Sequence, residues 1–561
     1  MSTNDNLRRR ALLGGTRNTN AHECMVECEF PRSHTTSVDP NSFGTKNITK
    51  VNWPEGITSI ESYALRGSFI DSDNFNEIPS TVTKIGKHAF SYCINLQGSI
   101  TLPENLEALG DSALYYSNYI TTVTLPTSDC VFGYNSLYGS GMRYINASSD
   151  VLYAFTYSSL SSANGTWLAA QANGNVYLGN NYIQYKGTMP ANTNIVIEPE
   201  TLSIAASAFS GKTQLKSITI PDTVKFIGAY AFSGCTGLTS ITIPKSLDYN
   251  INNNIYGNAY SDYWPTTNTG SYVSEKFVST SYSYISPFYS SACTGITTVN
   301  WNAINGYGGS STTASYCFLG GGTYLPNLTT VNFGSEVEFI PNYICYGLKK
   351  LTAITIPSSA KYIGNYAFGN CTGLTSFTVP ETIEKLATGG NILNGCTGIT
   401  TLNYNAISCI KVSSTDAQTG SNTYTTIWGT TSNLTTVNIG NQVQVIPGGF
   451  LGSGQSKITS ITIPSSVTTI AYGAFYQSKL TSIDLPASIT SIGNYAFYNC
   501  SSLTSITIRA TTPPTLDSSY TNTFPTTSQN YTIYVPASVV NTYKTRSKWS
   551  TWASKIQAIP S

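Results

Sequence analysis

The stretch "SIGNYAFYNCSSLTSITI", Ser491–Ile508, returns almost unchanged as "YIGNYAFGNCTGLTSFTV", Tyr362–Val379. Each copy joins an Ile-Gly-x-Tyr-Ala-Phe segment to a Cys and then to a tail in which apolar residues alternate with Ser or Thr. Alternation of this kind, rich in β-branched residues, marks a strand with one buried face. A proline follows the strand at Pro221, Pro244, Pro357, Pro380, Pro464 and Pro486, where a residue without an N–H ends the ladder. The Ile-Gly-x-x-Ala-Phe segment then turns the chain back, with Gly permitting a tight backbone and Ala-Phe filling the interior.

Aligning the first apolar anchor of each unit pairs Leu215 with Leu238, Leu351 with Leu374 and Leu480 with Leu503, each pair 23 residues apart. That spacing falls within the roughly 20 to 29 residues of leucine-rich repeats. One such coil cannot bury its own apolar face, so neighbours must stack. Counting less perfect units, strands are expected to start near Ile48, Phe75, Leu96, Ile120, Asn194, Leu215, Leu238, Ile296, Leu328, Leu351, Leu374, Ile399, Leu434, Ile458, Leu480, Leu503 and Tyr531. At about 4.8 Å per strand these would stack into a rod or arc on the order of 80 Å long. A larger repeat overlies the small one. "ITTVNWNAI", "LTTVNFGSEVEFIP" and "LTAITIP" from Ile296 recur as "ITTLNYNAI", "LTTVNIGNQVQVIP" and "ITSITIP" from Ile399, so whole blocks read as duplicated.

The expected fold is therefore a β-rich leucine-rich-repeat solenoid with two inserted loop regions and a short C-terminal helical cap. Residues 1–45 form a non-repeat segment; repeats occupy 46–130, 195–247 and 292–536. Tyr-rich insertions fall at 131–194 and 248–291, and the cap at 537–561. In the cap, Val540, Tyr543, Trp549, Trp552 and Ile556 are the expected buried positions of an amphipathic helix.

Composition excludes several functions. Among 561 residues, Lys+Arg number 29 and Asp+Glu 28, for a formal charge of +1, and charged residues make up only 10%, against about 25% in ordinary domains. No basic stripe suited to nucleic acid appears. No run reaches the roughly 18 apolar residues needed to cross a bilayer, so membrane insertion is not expected. Polarity comes instead from Ser, Thr, Asn, Gly and 39 Tyr, a surface that binds through hydrogen bonds and aromatic faces.

From Ile48 to the C-terminus, including the closing "YVPASVVNTYKTRSKW", the chain resembles the BspA-like leucine-rich-repeat proteins of mucosal bacteria and protists. Their unit also reads LtsItiPssvtsIgxxAFxxCssL. The resemblance implies attachment to surfaces, with host or matrix proteins as partners, and it supplies no catalytic residues. The repeats also look like modules found on particles of gut bacterial viruses. The N-terminus offers only Ala11–Leu13 as an apolar stretch, short of the roughly 7 to 15 residues of a secretory signal. A virion, assembled inside the cell, is thus the favoured carrier, with a cell surface as the alternative.

The reading is a non-enzymatic recognition or adhesion protein displayed on an exterior surface as a virion fibre or decoration protein. Its partners would be a host surface protein or glycan, with no cofactor. Tyr256, Tyr260, Tyr263, Trp264, Tyr272, Tyr282 and Tyr284 of the second insertion are the candidate ligand-binding residues. Arg8, Arg9, Arg10 and Arg17 are candidate anchors to a larger assembly, the other reading being a solvated tail. A purely structural decoration subunit that contacts its own copies as a homo-oligomer remains an alternative.

Other motifs have plainer readings. Cys93, Cys235, Cys293, Cys371, Cys396 and Cys500 stand three residues before the next anchor, a rung position that predicts buried thiols. Cys24, Cys28, His22 and His34 form a weak zinc candidate, because their spacing is unlike the common zinc modules. "DSDNFNE" from Asp71 lacks the third ligand and the Gly of a calcium loop. "SAFSGKT" lacks the first Gly of a phosphate loop. A glycan-cleaving site would need paired carboxylates, and 131–194 contains only Asp150.

Overall fold

Described from a computed structural model, the structure covers residues 26–29, 37–38, 48–53, 56–155, 166–247, 286–304, 317–319, 321–386, 391–411, 426–516, 522–526 and 528–561. Two units divide the chain: residues 1–235 with 246–291, and residues 236–245 with 292–561. Both are stacks of coils in which the alternating tails of most repeats make strands of short parallel ladders. In the first unit these strands include Ile48–Asn52, Gln97–Thr101, Tyr119–Thr124 and Tyr144–Asn146, then Thr193–Val196 and Leu215–Thr219. In the second they run from Ser240–Ile243, Thr298–Trp301 and Thr330–Phe333 through to Ser505–Ile508 and Thr532–Val535.

A second ladder, which the sequence reading took for a turn, runs through the Ile-Gly segments. Ser59–Ile60, Lys84–Ile85, Ala108–Leu109, Cys130–Phe132 and Tyr153–Phe155 pair in parallel in the first unit. Phe339–Ile340, Tyr362–Ile363 and Lys385–Leu386 do so in the second. These strands can lie so close because of glycine. A Cβ on Gly364 would fall 2.5 Å from the backbone nitrogen of Asn342, and one on Gly493 2.5 Å from that of Tyr472.

Between the ladders lies the core. In the repeat from Tyr362, Ile363, Ala367, Phe368, Cys371, Leu374, Phe377 and Val379 are all at most 1% exposed. Where consecutive coils both carry Phe, the rings stack: Phe209 on Phe232 at 5.7 Å and Phe232 on Phe288 at 5.8 Å in the first unit, Phe475 on Phe497 at 5.4 Å in the second. The rung cysteines are buried free thiols. Cys371 Sγ donates to the carbonyl of Cys345 at 2.9 Å, Cys396 to that of Phe368 at 3.0 Å and Cys500 to that of Phe475 at 2.9 Å. Each thiol therefore satisfies a carbonyl of the coil before it.

Several expected strands differ. Phe75 lies in the helix Ser72–Asn76, whose N-cap Asp71 accepts from the Asn74 N–H. The helix takes the place of a ladder strand because its side chains replace the backbone partners. Asn74 Oδ1 accepts from Val51 N at 2.8 Å while its Nδ2 donates to Val51 O at 2.9 Å. On the other side, Ser72 Oγ accepts from Gln97 N and Asn76 Oδ1 from Thr101 N, both at 2.7 Å. Asp71 and Asn74 are thus structural, which explains why "DSDNFNE" departs from a calcium loop. Residues 351–357 form no strand, and the coil from Ile458 contributes a single bridge, Thr462 to Asp484. Leu351, Ile356, Ile458 and Ile463 are nevertheless buried, so the side-chain pattern survives where backbone pairing does not.

Much of the stretch 131–194 is coil rather than insertion. Tyr144–Asn146 and Tyr153–Phe155 extend the two ladders. Gly174–Leu178 and Asn181–Lys186 then make a hairpin, the antiparallel pair among the described strands. Buried Asn181 locks it in place, accepting from Tyr153 N and Ser203 Oγ and donating to Val151 O. Residues 286–291 likewise belong to a coil: Pro287 O accepts from Phe232 N at 2.8 Å.

The C-terminal cap is shorter and more broken than one amphipathic helix. Ala537–Val539 is a 3-10 turn, Val540–Thr545 a helix and Trp549–Lys555 a kinked 3-10 segment. Tyr543, Trp549, Trp552 and Ile556 are buried, whereas Val540 is half-buried. Ile556 sits in the strand Ile556–Ala558, which pairs with Thr532–Val535. Trp549 and Trp552 close over Phe524 at 5.4 and 5.0 Å, ending the phenylalanine column.

Candidate functional site

The turn that follows each Ile-Gly decides which side chains face outward. In Ile-Gly-x-Tyr-Ala-Phe, Ala and Phe enter the core, and the residue before them takes a left-handed conformation. Tyr63, Tyr230, Tyr343, Tyr366 and Tyr495 have φ of 64°, 61°, 55°, 50° and 59°. A second left-handed position, four residues on, holds Tyr92 at 62° and Tyr116 at 56°. Bulky side chains rarely occupy this region, and such strain gathers where a side chain must be presented in one direction.

In the first unit these rings form a spine along one edge. Tyr63 stacks on His88 at 5.2 Å, Tyr92 on Tyr116 at 5.6 Å and Tyr115 on Tyr138 at 5.3 Å. The spacing is that of successive coils. Arg66 lies 5.9 Å from the Tyr63 ring and 5.6 Å from that of Tyr92, within reach of a cation–π attraction. Tyr92 and Tyr116 are 43% and 39% exposed, and Tyr119 and Tyr144 on the neighbouring strands 59% and 65%. Desolvation first, then the hydroxyls of Tyr116 and Tyr92, push the Tyr115 phenol above its ordinary value.

The second unit carries two smaller groups. Tyr343 and Tyr366 stack at 5.2 Å and 7°, and Tyr346 stands across them at 68° and 72°. Asn370 Nδ2 donates to Tyr346 Oη at 2.7 Å. Beside Tyr346 is a hollow of about 670 Å³ whose lining includes Leu325, Pro326, Lys349, Lys350 and Thr372. Further on, Tyr476 stacks on Tyr498 at 6.3 Å, with Tyr495 packed edge-on against Tyr498 at 5.4 Å.

The exposed face of the long ladder is polar and internally bonded. Asn300 Nδ2 donates to Thr242 Oγ1, and Asn332 Nδ2 to Asn300 Oδ1. The duplicated block repeats this: Asn403 donates to Thr378, and Asn438 to Asn403. On the short ladder Phe339 stacks on Tyr362 at 4.3 Å beside an exposed Lys361–Glu384 pair at 3.5 Å.

Tyr256, Tyr260, Tyr263, Trp264, Tyr272, Tyr282 and Tyr284 lie outside the described residues, as do Arg8, Arg9, Arg10, Arg17, His22, Cys24, His34 and the side chain of Cys28. Among the described residues no three His, Cys, Asp or Glu side chains group as a metal would need, and no helix is long and apolar enough to cross a membrane. Tyr63, Tyr92, Tyr115, Tyr116 and Tyr138 are not among the candidate residues the sequence singles out. The signal that marks them is register: Tyr63 directly precedes the inward pair of its turn, and Tyr92 and Tyr116 close theirs.

A family model described as a BspA type leucine-rich repeat region matches residues 21–143, 69–168, 184–298, 311–422 and 421–546. No curated protein matches the chain. Among solved structures, a leucine-rich repeat protein from Bacteroides ovatus is similar at 17% identity, with 82% of each chain covered and a TM-score of 0.33. A leucine-rich cell surface protein from Faecalibacterium prausnitzii is 15% identical over 81% of this chain and 83% of its own, with a TM-score of 0.25. The pneumococcal vaccine antigen PcpA is 12% identical over 82% and 87%, with a TM-score of 0.28. Proteins of this repeat class generally act by recognition rather than catalysis. Carrying the family's repeat through most of its length and folding it into stacked parallel coils, the chain belongs to the BspA-type leucine-rich repeat family.

Proposed function

We propose that the protein is a non-enzymatic recognition protein displayed on an exterior surface, engaging a host protein or glycan through its tyrosine-bearing edges. The observation that supports this reading is the strained, outward placement of tyrosine at the turns. Among the described residues seven tyrosines hold positive φ where Gly, Asn or Ser would fit with less strain. Tyrosine supplies contact area at low entropic cost, and the Ser, Thr and Asn around it add adaptable hydrogen bonds. The tyrosines and Trp264 of 248–285 are proposed to contribute to ligand binding, and Arg8, Arg9, Arg10 and Arg17 to hold the chain to a larger assembly.

Adhesion of the full chain to mucin-coated and host-cell surfaces tests the reading. Replacing Tyr92 and Tyr116 together by Ser should weaken adhesion at least about tenfold, as loss of two anchor rings does, while melting stays near wild type. Unchanged adhesion in that variant, and in one lacking 248–285, would instead favour a structural subunit that contacts its own copies. The carrier is proposed to be a virion. Mass spectrometry of purified particles and of envelope fractions tests that choice separately, and presence only in the envelope would transfer the protein to a cell surface.

A further inference from the structure

The hollow beside Tyr346 differs from the rest of the tyrosine edge in three respects. Its charge has one sign: Lys349 and Lys350 line it, and none of its lining residues is acidic, in a chain whose charges otherwise balance. Lys350 Nζ donates to Asn327 Oδ1 at 2.6 Å, which fixes that ammonium at the rim. Lys349 is exposed, and its side chain makes no hydrogen bond or ion pair among the described residues. Its ring is also oriented differently. Tyr343 and Tyr366 cover each other's faces, whereas Tyr346 stands across them and pairs face to face with no ring among the described residues. Its hydroxyl is held by Asn370, so the ring is fixed in direction. Leu325 and Pro326 add an apolar wall, and Thr372 a hydroxyl.

A fixed ring, an apolar wall, hydroxyl and amide groups and two ammonium groups together match a sugar that carries an anion. Pyranose C–H faces pack on a tyrosine ring, hydroxyls bond to Thr and Asn, and a carboxylate or sulfate takes charge-assisted bonds from Lys. We propose that this hollow binds an anionic oligosaccharide, with Tyr346 stacking on a sugar ring and Lys349 pairing with its carboxylate or sulfate. The proposal rests on the recognition reading above and gives it a ligand class. The duplicated block contains a natural control. Lys457 bonds Asn433 at 2.7 Å just as Lys350 bonds Asn327, but Gly452 stands where Tyr346 does and Ser456 where Lys349 does.

Titration of the full chain with sialyllactose, sulfated lactose and lactose, followed by calorimetry, tests the assignment. Binding of either anionic sugar at least about tenfold more tightly than lactose is expected, since one charge-assisted bond is worth roughly that factor. Preference for the sialylated form identifies a carboxylate as the recognised anion, and preference for the sulfated form a sulfate. Lys349→Glu, on an exposed side chain, should abolish the preference. Tyr346→Phe should keep binding, Tyr346→Ala should weaken binding of all three sugars, and Lys457→Glu should change nothing. Equal binding of all three sugars, binding of none, or an unaltered preference in Lys349→Glu would overturn the assignment. If the chain still adheres to mucin in that event, the recognition reading stands and only this site falls.

Discussion

Glycine in the Ile-Gly-x-Tyr-Ala-Phe turn is required by contact rather than by dihedral freedom. Gly364 and Gly493 are absent from the positive-φ residues, yet a methyl group on either would overlap the backbone of the preceding coil. Backbone cannot step aside as a flexible side chain can. Gly364→Ala is therefore expected to destabilise its unit by about 2 kcal/mol through overpacking, read as a lower urea midpoint with an unchanged slope. The thiols illustrate another constraint at this scale. At the same rung Cys93, Cys371 and Cys500 donate to carbonyls of the coil before, and Ser117 reaches the carbonyl of Phe90 in the same way. Where a Cys or Ser stands at this rung it donates back to the preceding coil, whereas Leu325 and Leu348 fill the same position by packing alone.

At the scale of elements, the helix Ser72–Asn76 shows how a coil can depart from the repeat without opening the ladder. Asn74→Ala would leave the N–H and the carbonyl of Val51 buried and unpaired and would remove the bond from Asn74 Nδ2 to Glu77 Oε2. A loss of about 3 kcal/mol is expected, with earlier hydrogen exchange at Val51 and Gln97 as the local readout. The cap is tested by Trp549→Ala, which removes a ring packed on Phe524 and Tyr543 and a hydrogen bond to Pro514 O at 2.9 Å. About 4 kcal/mol should be lost, and the opened coil should self-associate in sedimentation runs. The alternating tails were legible in the sequence because four or five residues of period two suffice to declare a buried face. The two-residue strands of the second ladder were not, since Ser59–Ile60 is too short to show any period. Phe75 misled because a helix can supply an apolar anchor as well as a strand can. Of the candidate site, Tyr was visible as a residue type, but its outward direction depends on a left-handed turn that no composition reveals.

Across the whole molecule the buried thiols set a shared response to pH. Burial pushes Cys93 up to about 11 and Cys317, Cys396 and Cys409 to about 12, from an ordinary 9.0. Below 9 these groups are protonated in both states and their contribution is complete. Above 9 the unfolded chain releases protons that the folded chain retains, so stability falls as pH rises toward 11 and 12. Each such thiol weakens folding by about 1.4 kcal/mol per pH unit within that window. Urea midpoints measured from pH 8 to 11 should decline steeply above 9, and Cys93→Ser should flatten the slope. The amide rows at Thr242, Asn300 and Asn332 and at Thr378, Asn403 and Asn438 carry a historical consequence. Because both blocks bond to the preceding coil through the same Asn-to-Thr and Asn-to-Asn steps, genetic exchange between the two homologous segments can delete or add a complete block and leave compatible seams. Related genes should accordingly include some that differ by the gain or loss of one complete block at these seams, which comparison of their sequences would show.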